Sequence, residues 1–269
     1  MKINRENVRA VFKKYTDQYD SSDIKVALKI EHTYKVADIA DRIARSINLS
    51  EEDADLAWLL GMLHDVGRFE QLRKYHTFID SISVNHAAMS ADVLFNKYDA
   101  EDEDAPEQLR IRDYAADSSE DAIIEKAIRL HNVFKLPEKM TEREKMFTDI
   151  LRDADKIDIL RVNCEIPMDE IYDCPIDNLK VDRVTPEVLA DALRCRNVDR
   201  AHVKQPIDHL FTHISLTFGL VYPESFRITR EQGYLKQMMT FESGDKVTAE
   251  GLSELHTVMA HFMGKRVSE

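Results

Sequence analysis

The sequence predicts an all-α fold. Three observations point there. Gly and Pro number only 7 each among 269 residues, too few for a loop-rich β fold or a Gly-rich dinucleotide fold. Apolar residues recur at helical spacing through most of the chain. Hydrophobic residues make up 43% and charged residues 32%, a globular composition with enough apolar surface to bury a core.

The elements follow in order. Residues 5–20 form a first amphipathic helix, with Val8, Val11, Phe12 and Tyr15 on one face. Residues 23–47 form a longer one through Ile30, Ala37, Ala40, Ala44 and Ile47, ended by Asn48-Leu49-Ser50. Ser50 followed by Asp53 reads as an N-cap with an acidic first turn. The next helix runs through Leu56, Leu59, Leu60 and Leu63 and reaches Gly67 just past its end. Residues 68–80 read as irregular and 80–97 as helix. Residues 99–121, opening on Asp-Ala-Glu-Asp-Glu-Asp-Ala-Pro, read as a solvated surface loop or a poorly packed insertion.

Helices resume at 119–131 and 141–163. Residues 164–205, broken by Pro167, Pro175 and Pro186, show no clear period. Residues 206–222 and 249–264 read as helices, with short strands at Val181 and Phe226–Ile228. The expected organisation is one compact unit over 1–269, with a helical core to residue 163 and a C-terminal elaboration over 164–269 that could act as a lid.

The formal net charge is -13. An acidic chain repels polyanions on average, so a nucleic-acid polymer is not an expected partner, while a local basic pocket for a small phosphate is compatible with it. Cys164, Cys174 and Cys195 form no CxxC pair and read as reduced structural thiols. No apolar leader opens the chain and no apolar run is long enough for a bilayer, so a cytoplasmic enzyme without membrane contact is expected. The oligomeric state is left open.

The strongest chemical signal is Leu-Leu-Gly-Met-Leu-His64-Asp65-Val-Gly-Arg68. Imidazole offers a neutral nitrogen ligand, and a carboxylate offers two oxygens that can bridge two cations. A His-Asp dipeptide alone is weak, but other ligands ride inward-facing stripes: His32 with Val36, Ile39 and Ile43, His86 with Ile82, Met89 and Val93, His131 with Ile124, Ala127 and Ile128, and Asp155 with Phe147, Leu151 and Ile159. A buried carboxylate without a partner is costly, and bound cations would offset that cost for the whole set. Any one of these histidines alone is more often a satisfied core residue. Asp153 and Asp158 compete with Asp155, which periodicity favours only modestly.

The order His32, His64-Asp65, Asp155 resembles the HD-domain superfamily of metal-dependent phosphohydrolases. Ala154-Asp155-Lys156-Ile157 resembles the short motif around that family's final Asp, and the likeness extends over about residues 25–163. It implies an HD-like helical bundle in which His32, His64, Asp65 and Asp155 hold one metal, and Asp65, His86 and His131 hold a second with Asp65 bridging. His86 and His131 match the dinuclear subset, which includes HD-GYP phosphodiesterases and di-iron oxygenases similar to myo-inositol oxygenase. The chain has no Gly-Tyr-Pro element.

The N/O donor set suits two divalent ions, Mn, Fe, Co, Ni or Zn; Mg would be an outlier among so many imidazoles, though it could fill a weaker site. Arg68 stands where HD-GYP relatives carry a phosphate-contacting Lys and is assigned as a phosphate clamp, against a plain surface Arg at a helix end. Lys156 is a weaker candidate, and Arg73, Lys74 and His76 could line an entrance. His209 and His213 suggest a core or lid role. The implied function is hydrolysis of a phosphomonoester or phosphodiester of a small, nucleotide-like substrate by metal-activated water. The alternatives are a di-iron oxygenase on the same ligands and a non-catalytic regulatory helical module.

Overall fold

The computed structural model describes residues 1–98, 105–167 and 174–267. Among them every regular element is a helix and there is no strand. The chain divides into two units, Met1–Ala154 and Asp155–Glu269, and the division falls inside one continuous helix.

In the first unit, α1 (Arg5–Thr16) starts at Asn4, whose side chain accepts the Asn7 N–H. Its buried face is Val8, Phe12 and Tyr15, as the spacing predicts. α2 (Ile24–Ser46) is capped by Asp23, and α3 (Glu51–Leu63) by Ser50, which accepts the Asp53 N–H at 3.2 Å. Such a cap is worth about 1 kcal/mol. Glu51, Glu52 and Asp53 add charge of the right sign at the positive end of the helix dipole. Every residue from Leu56 to Leu63 is buried, so α3 is the central helix of this unit.

Two glycines set how closely the helices approach. A Cβ at Gly61 would lie 2.5 Å from Ala37 Cα, so α3 and α2 meet backbone to backbone there. A Cβ at Gly67 would lie 2.5 Å from Ser90 N, where α4 (Gly67–Tyr75) meets α5 (His86–Leu94). The Gly67 N–H donates to Ser90 Oγ at 2.9 Å across the same contact. α6 (Ile111–Tyr114), α7 (Asp121–Leu130) and α8 (Glu142–Glu165) follow.

The second unit continues with α9 (Ile176–Val181), α10 (Pro186–Leu193), α11 (Pro206–Ser215), α12 (Pro223–Gln232), α13 (Tyr234–Met238) and α14 (Lys246–Val267). Pro opens α10, α11 and α12, where its fixed φ suits a first turn and its missing N–H costs nothing. Leu179, Val188, Phe211, Ile214, Leu255 and Met259 belong to its core. The buried Asp208 carboxylate accepts from Thr185 N, Thr185 Oγ1, Lys204 N and Gln205 N at 2.7–2.9 Å, which joins the starts of α10 and α11.

Several expectations are corrected. Residues 68–80 are not irregular: α4 runs to Tyr75, because Gly67 opens a helix by close approach to α5 rather than closing one. The helix expected over 80–97 is shorter, since Asn85 caps it and a 3-10 turn, Asp80–Ile82, precedes it. Val181 ends a helix, and Phe226–Ile228 lies inside α12, which Pro223 opens and Gly233 closes at φ +76. A short β-branched run cannot form a ladder without a partner strand. Part of the acidic stretch, 99–104, lies outside the described residues, but its later part packs: Leu109, Ile111 and Tyr114 are buried. Among the described residues, no helix is long and apolar enough to cross a membrane.

Candidate metal centre

The first unit delivers its polar side chains to one place from α2 and from the ends of α3, α5 and α7. α2 contributes Lys29 and His32. His64 is the C-cap of α3, and Asp65 follows it in the turn before α4. His86 is the first residue of α5, and His131 is the C-cap of α7. His32, His64, Asp65, His86 and His131 are all buried, none more than 6% exposed.

Asp65 divides the four imidazoles into two pairs. Its Oδ2 lies 3.5 Å from His64 Nε2 and 3.7 Å from His32 Nε2. Its Oδ1 lies 3.7 Å from His86 Nε2 and 3.8 Å from His131 Nε2. Within the pairs, His64 Nε2 is 3.4 Å from His32 Nε2, and His86 Nε2 is 3.1 Å from His131 Nε2.

The other ring nitrogens fix the tautomers of three of these residues. His64 Nδ1 is 2.8 Å from Gly61 O, His131 Nδ1 is 2.7 Å from Ile128 O, and His86 Nδ1 is 2.6 Å from Asp80 Oδ2. Carbonyls and carboxylates only accept, so each Nδ1 donates and each neutral Nε2 is left with a lone pair. Lone pairs facing each other at 3.1 Å repel unless a cation lies between them. Protonation is a poor remedy, because burial, reinforced by the Arg68 charge, pushes His86 down to about 4. Two nitrogens each about 2.0–2.1 Å from one cation, at angles between right and tetrahedral, stand about 2.8–3.4 Å apart. Both pairs meet that spacing.

Asp65 supports the same reading. Its Oδ1 is buried with no hydrogen-bond partner. Burial alone would push this carboxyl up, but the charges of Lys29 and Arg68 hold it well below the usual carboxylate range. His64, Asp65 and His131 each offer a ligand atom within 4.8 Å of the others. The donors are nitrogen and oxygen only, a set suited to divalent first-row cations. The residues present therefore fit a metal centre.

Lys29 was not anticipated from sequence. Its Nζ lies 2.7 Å from Asp65 Oδ2, with the side chain 15% exposed. The available signal was its position three residues before His32, which places both on one helix face. Asp80 was missed too, because its turn was read as a connection. It lies between two donors on each side: Arg68 Nη1 at 3.1 Å and Gln71 Nε2 at 3.1 Å on Oδ1, His86 Nδ1 at 2.6 Å and Asn132 Nδ2 at 3.3 Å on Oδ2. Burial raises Asp80, but the His86 hydrogen bond and the Arg68 charge outweigh it and bring the carboxyl to about 2.

Arg68 stands beside the cluster with Nη1 already engaged by Gln71 Oε1, Phe78 O and Asp80 Oδ1. Its Nε is buried, 3.7 Å from Asp65 Oδ1 in an ion pair, and makes no hydrogen bond. Arg73 turns to the buried Glu70, pairing through Nε at 2.9 Å and Nη2 at 3.0 Å, and Lys74 sits over the Tyr98 ring, while His76 is exposed. Asp155 follows the fully buried Ala154 on α8 and is half-buried. Lys156 Nζ donates to Gly219 O at 2.7 Å within the second unit. Cys164, Cys174 and Cys195 are free thiols.

An all-helical unit that buries four imidazoles around one carboxylate has the donor set of a metal site. Residues 30–162 match the HD domain family, and the chain carries an HD domain over that span. An HD domain implies the metal-dependent hydrolase superfamily in general. No curated protein and no solved structure matches the chain.

Proposed function

We propose that the protein is a metal-dependent phosphohydrolase acting on a phosphomonoester or phosphodiester of a small, nucleotide-like molecule. The observation that carries this reading is the Asp65 carboxylate, whose two oxygens face two separate histidine pairs. His32 and His64 would hold one divalent ion, His86 and His131 a second, with Asp65 shared between them. Asp155 would complete the first set: it stands within the HD span, in the Ala154-Asp155-Lys156-Ile157 stretch that resembles the short motif around that family's final Asp. When bound, such ions supply Lewis acidity for water and for a phosphoryl group.

The chain's own residues do the rest. Lys29 keeps Asp65 ionised and places positive charge beside it. Arg68 keeps Nη1 on Asp80 and Nε beside Asp65, and its Nη2 would be the atom to meet substrate oxygens. Lys156 is the weaker phosphate contact, because Gly219 O already engages it. Burial of the ligands strengthens every one of these charge interactions.

The test is metal content of anaerobically purified protein, followed by a panel of phosphate esters, for the wild type and Asp65→Ala. Two ions per chain and turnover lost in the variant are expected. Iron in both sites with oxygen uptake and no ester cleavage would replace this reading with the oxygenase. Bound metal and no turnover on any ester would leave a regulatory module.

A further inference from the structure

Three of the four imidazoles are held at Nδ1 by two kinds of partner. His64 and His131 each donate Nδ1 to a carbonyl one turn back in their own helices, Gly61 O and Ile128 O. Those acceptors are part of the backbone and form whenever the helix forms. Arg152 braces the second of these helix ends, since its Nη1 donates to Leu130 O, His131 O and Val133 O. His86 has no such support. It stands at the start of α5, where no preceding turn of the same helix offers a carbonyl, and its Nδ1 relies on the side chain of Asp80 in the preceding 3-10 turn.

Asp80 is in turn held from three directions. Arg68 and Gln71 of α4 donate to Oδ1, and Asn132 after α7 donates to the oxygen that also takes the His86 proton. All four neighbours are donors. A carboxylate can satisfy them with its lone pairs, whereas an amide in either orientation would turn an NH2 toward two of them.

We propose that Asp80 is a positioning residue for the second ligand pair: it sets the tautomer and ring orientation of His86, and through it Arg68 and α4 govern how well the His86–His131 pair binds a cation. The inference builds on the metal-centre reading but makes a separate demand. It predicts two unequal sites, because one ring of the second pair, His86, depends on a side chain in a turn. An acceptor that orients a metal-binding imidazole is worth about 10- to 100-fold in metal affinity.

The experiment uses full-length protein stripped of metal and titrated with Mn2+ or Co2+, comparing wild type with Asp80→Ala, Asp80→Asn and Asp80→Glu. The expected result is one site unchanged and one weakened 10- to 100-fold in the Ala and Asn variants, with partial recovery in the Glu variant. A second readout needs no metal. Long-range proton–nitrogen spectra of the imidazoles should show His86 protonated on Nδ1 in the wild type and shifted toward Nε2 in Asp80→Ala. Circular dichroism melts confirm that each variant is folded, and Asp80→Asn, closest in shape, stands in if the Ala variant is not. Unchanged affinity at both sites together with an unchanged His86 ring would overturn the proposal. If the wild type binds no ion, the metal-centre reading fails, and the imidazole spectra alone decide whether Asp80 orients His86.

Discussion

At the residue scale the centre depends on a balance of buried charge. Asp65 is nearly inaccessible, and Lys29 is its closest cation. Removing one partner of a buried ion pair costs about 3–5 kcal/mol. Lys29→Met is therefore expected to lower the stability of metal-free protein by about 3 kcal/mol. Saturating Mn2+ should recover much of that loss, because a cation at the centre replaces the missing charge. Denaturant melts with and without Mn2+ check this, and an equal loss in both would show that Lys29 acts elsewhere. The residue types of the centre were legible in the sequence because His and Asp on an apolar stripe are costly without a shared partner. Lys29 was not, because a lysine near a helix start reads equally well as solvated surface. Asp80 was not either, because its role exists only once α4, α5 and the segment after α7 meet.

At the element scale, helix starts and helix contacts follow different rules. Ser50 caps α3 by a local rule, so Ser50→Ala should cost about 1 kcal/mol and leave metal binding unchanged. Gly61 obeys a tertiary one. Alanine has the better helix propensity by about 1 kcal/mol, yet its Cβ would stand 2.5 Å from Ala37 Cα, a backbone atom with no room to yield. Gly61→Ala is expected to destabilise by about 1–3 kcal/mol. It should also weaken metal affinity, because α2 and α3 carry His32 and His64. A variant as stable as wild type with full metal content would refute the close-packing argument. Gly67 shows how the same residue misleads: read alone it marks a helix end, while against Ser90 it is the point where α4 seats on α5.

At the scale of the whole molecule, stability depends on metal and on acid. Ligands that bind only the folded state add about 2.7 kcal/mol at a hundredfold excess over Kd. A chelator should therefore lower the melting temperature reversibly, and a melting temperature indifferent to chelator and added Mn2+ would count against the centre. In metal-free protein, burial pushes His86 down to about 4 and His213 to about 3, with the charges of Arg68 in one case and of His209 and Arg200 in the other adding to it. An unfolded imidazole titrates near 6.5. Between these values the unfolded chain binds more protons, so stability falls as pH drops from about 6.5 toward 4, by at most about 1.4 kcal/mol per pH unit for each group. Denaturant midpoints measured from pH 7 to pH 4 check the slope, and a flat profile would show that both rings are protonated in the fold.

The sequence by itself determined the helical class, the starts of α1 and α3, the HD domain and the residue types of the centre. These rest on local periodicity, on capping, and on the cost of burying His and Asp, all of which act within a few residues or follow from composition. Tertiary structure alone decided that α4 is a helix, that the two oxygens of Asp65 face different histidine pairs, and that Lys29 and Asp80 belong with them. The physical reason is that a carboxylate has two faces and an imidazole two nitrogens. Which partner each atom meets depends on how α2, α3, α5 and α7 cross, and that is set by backbone contacts at Gly61 and Gly67 that no spacing along the chain reveals.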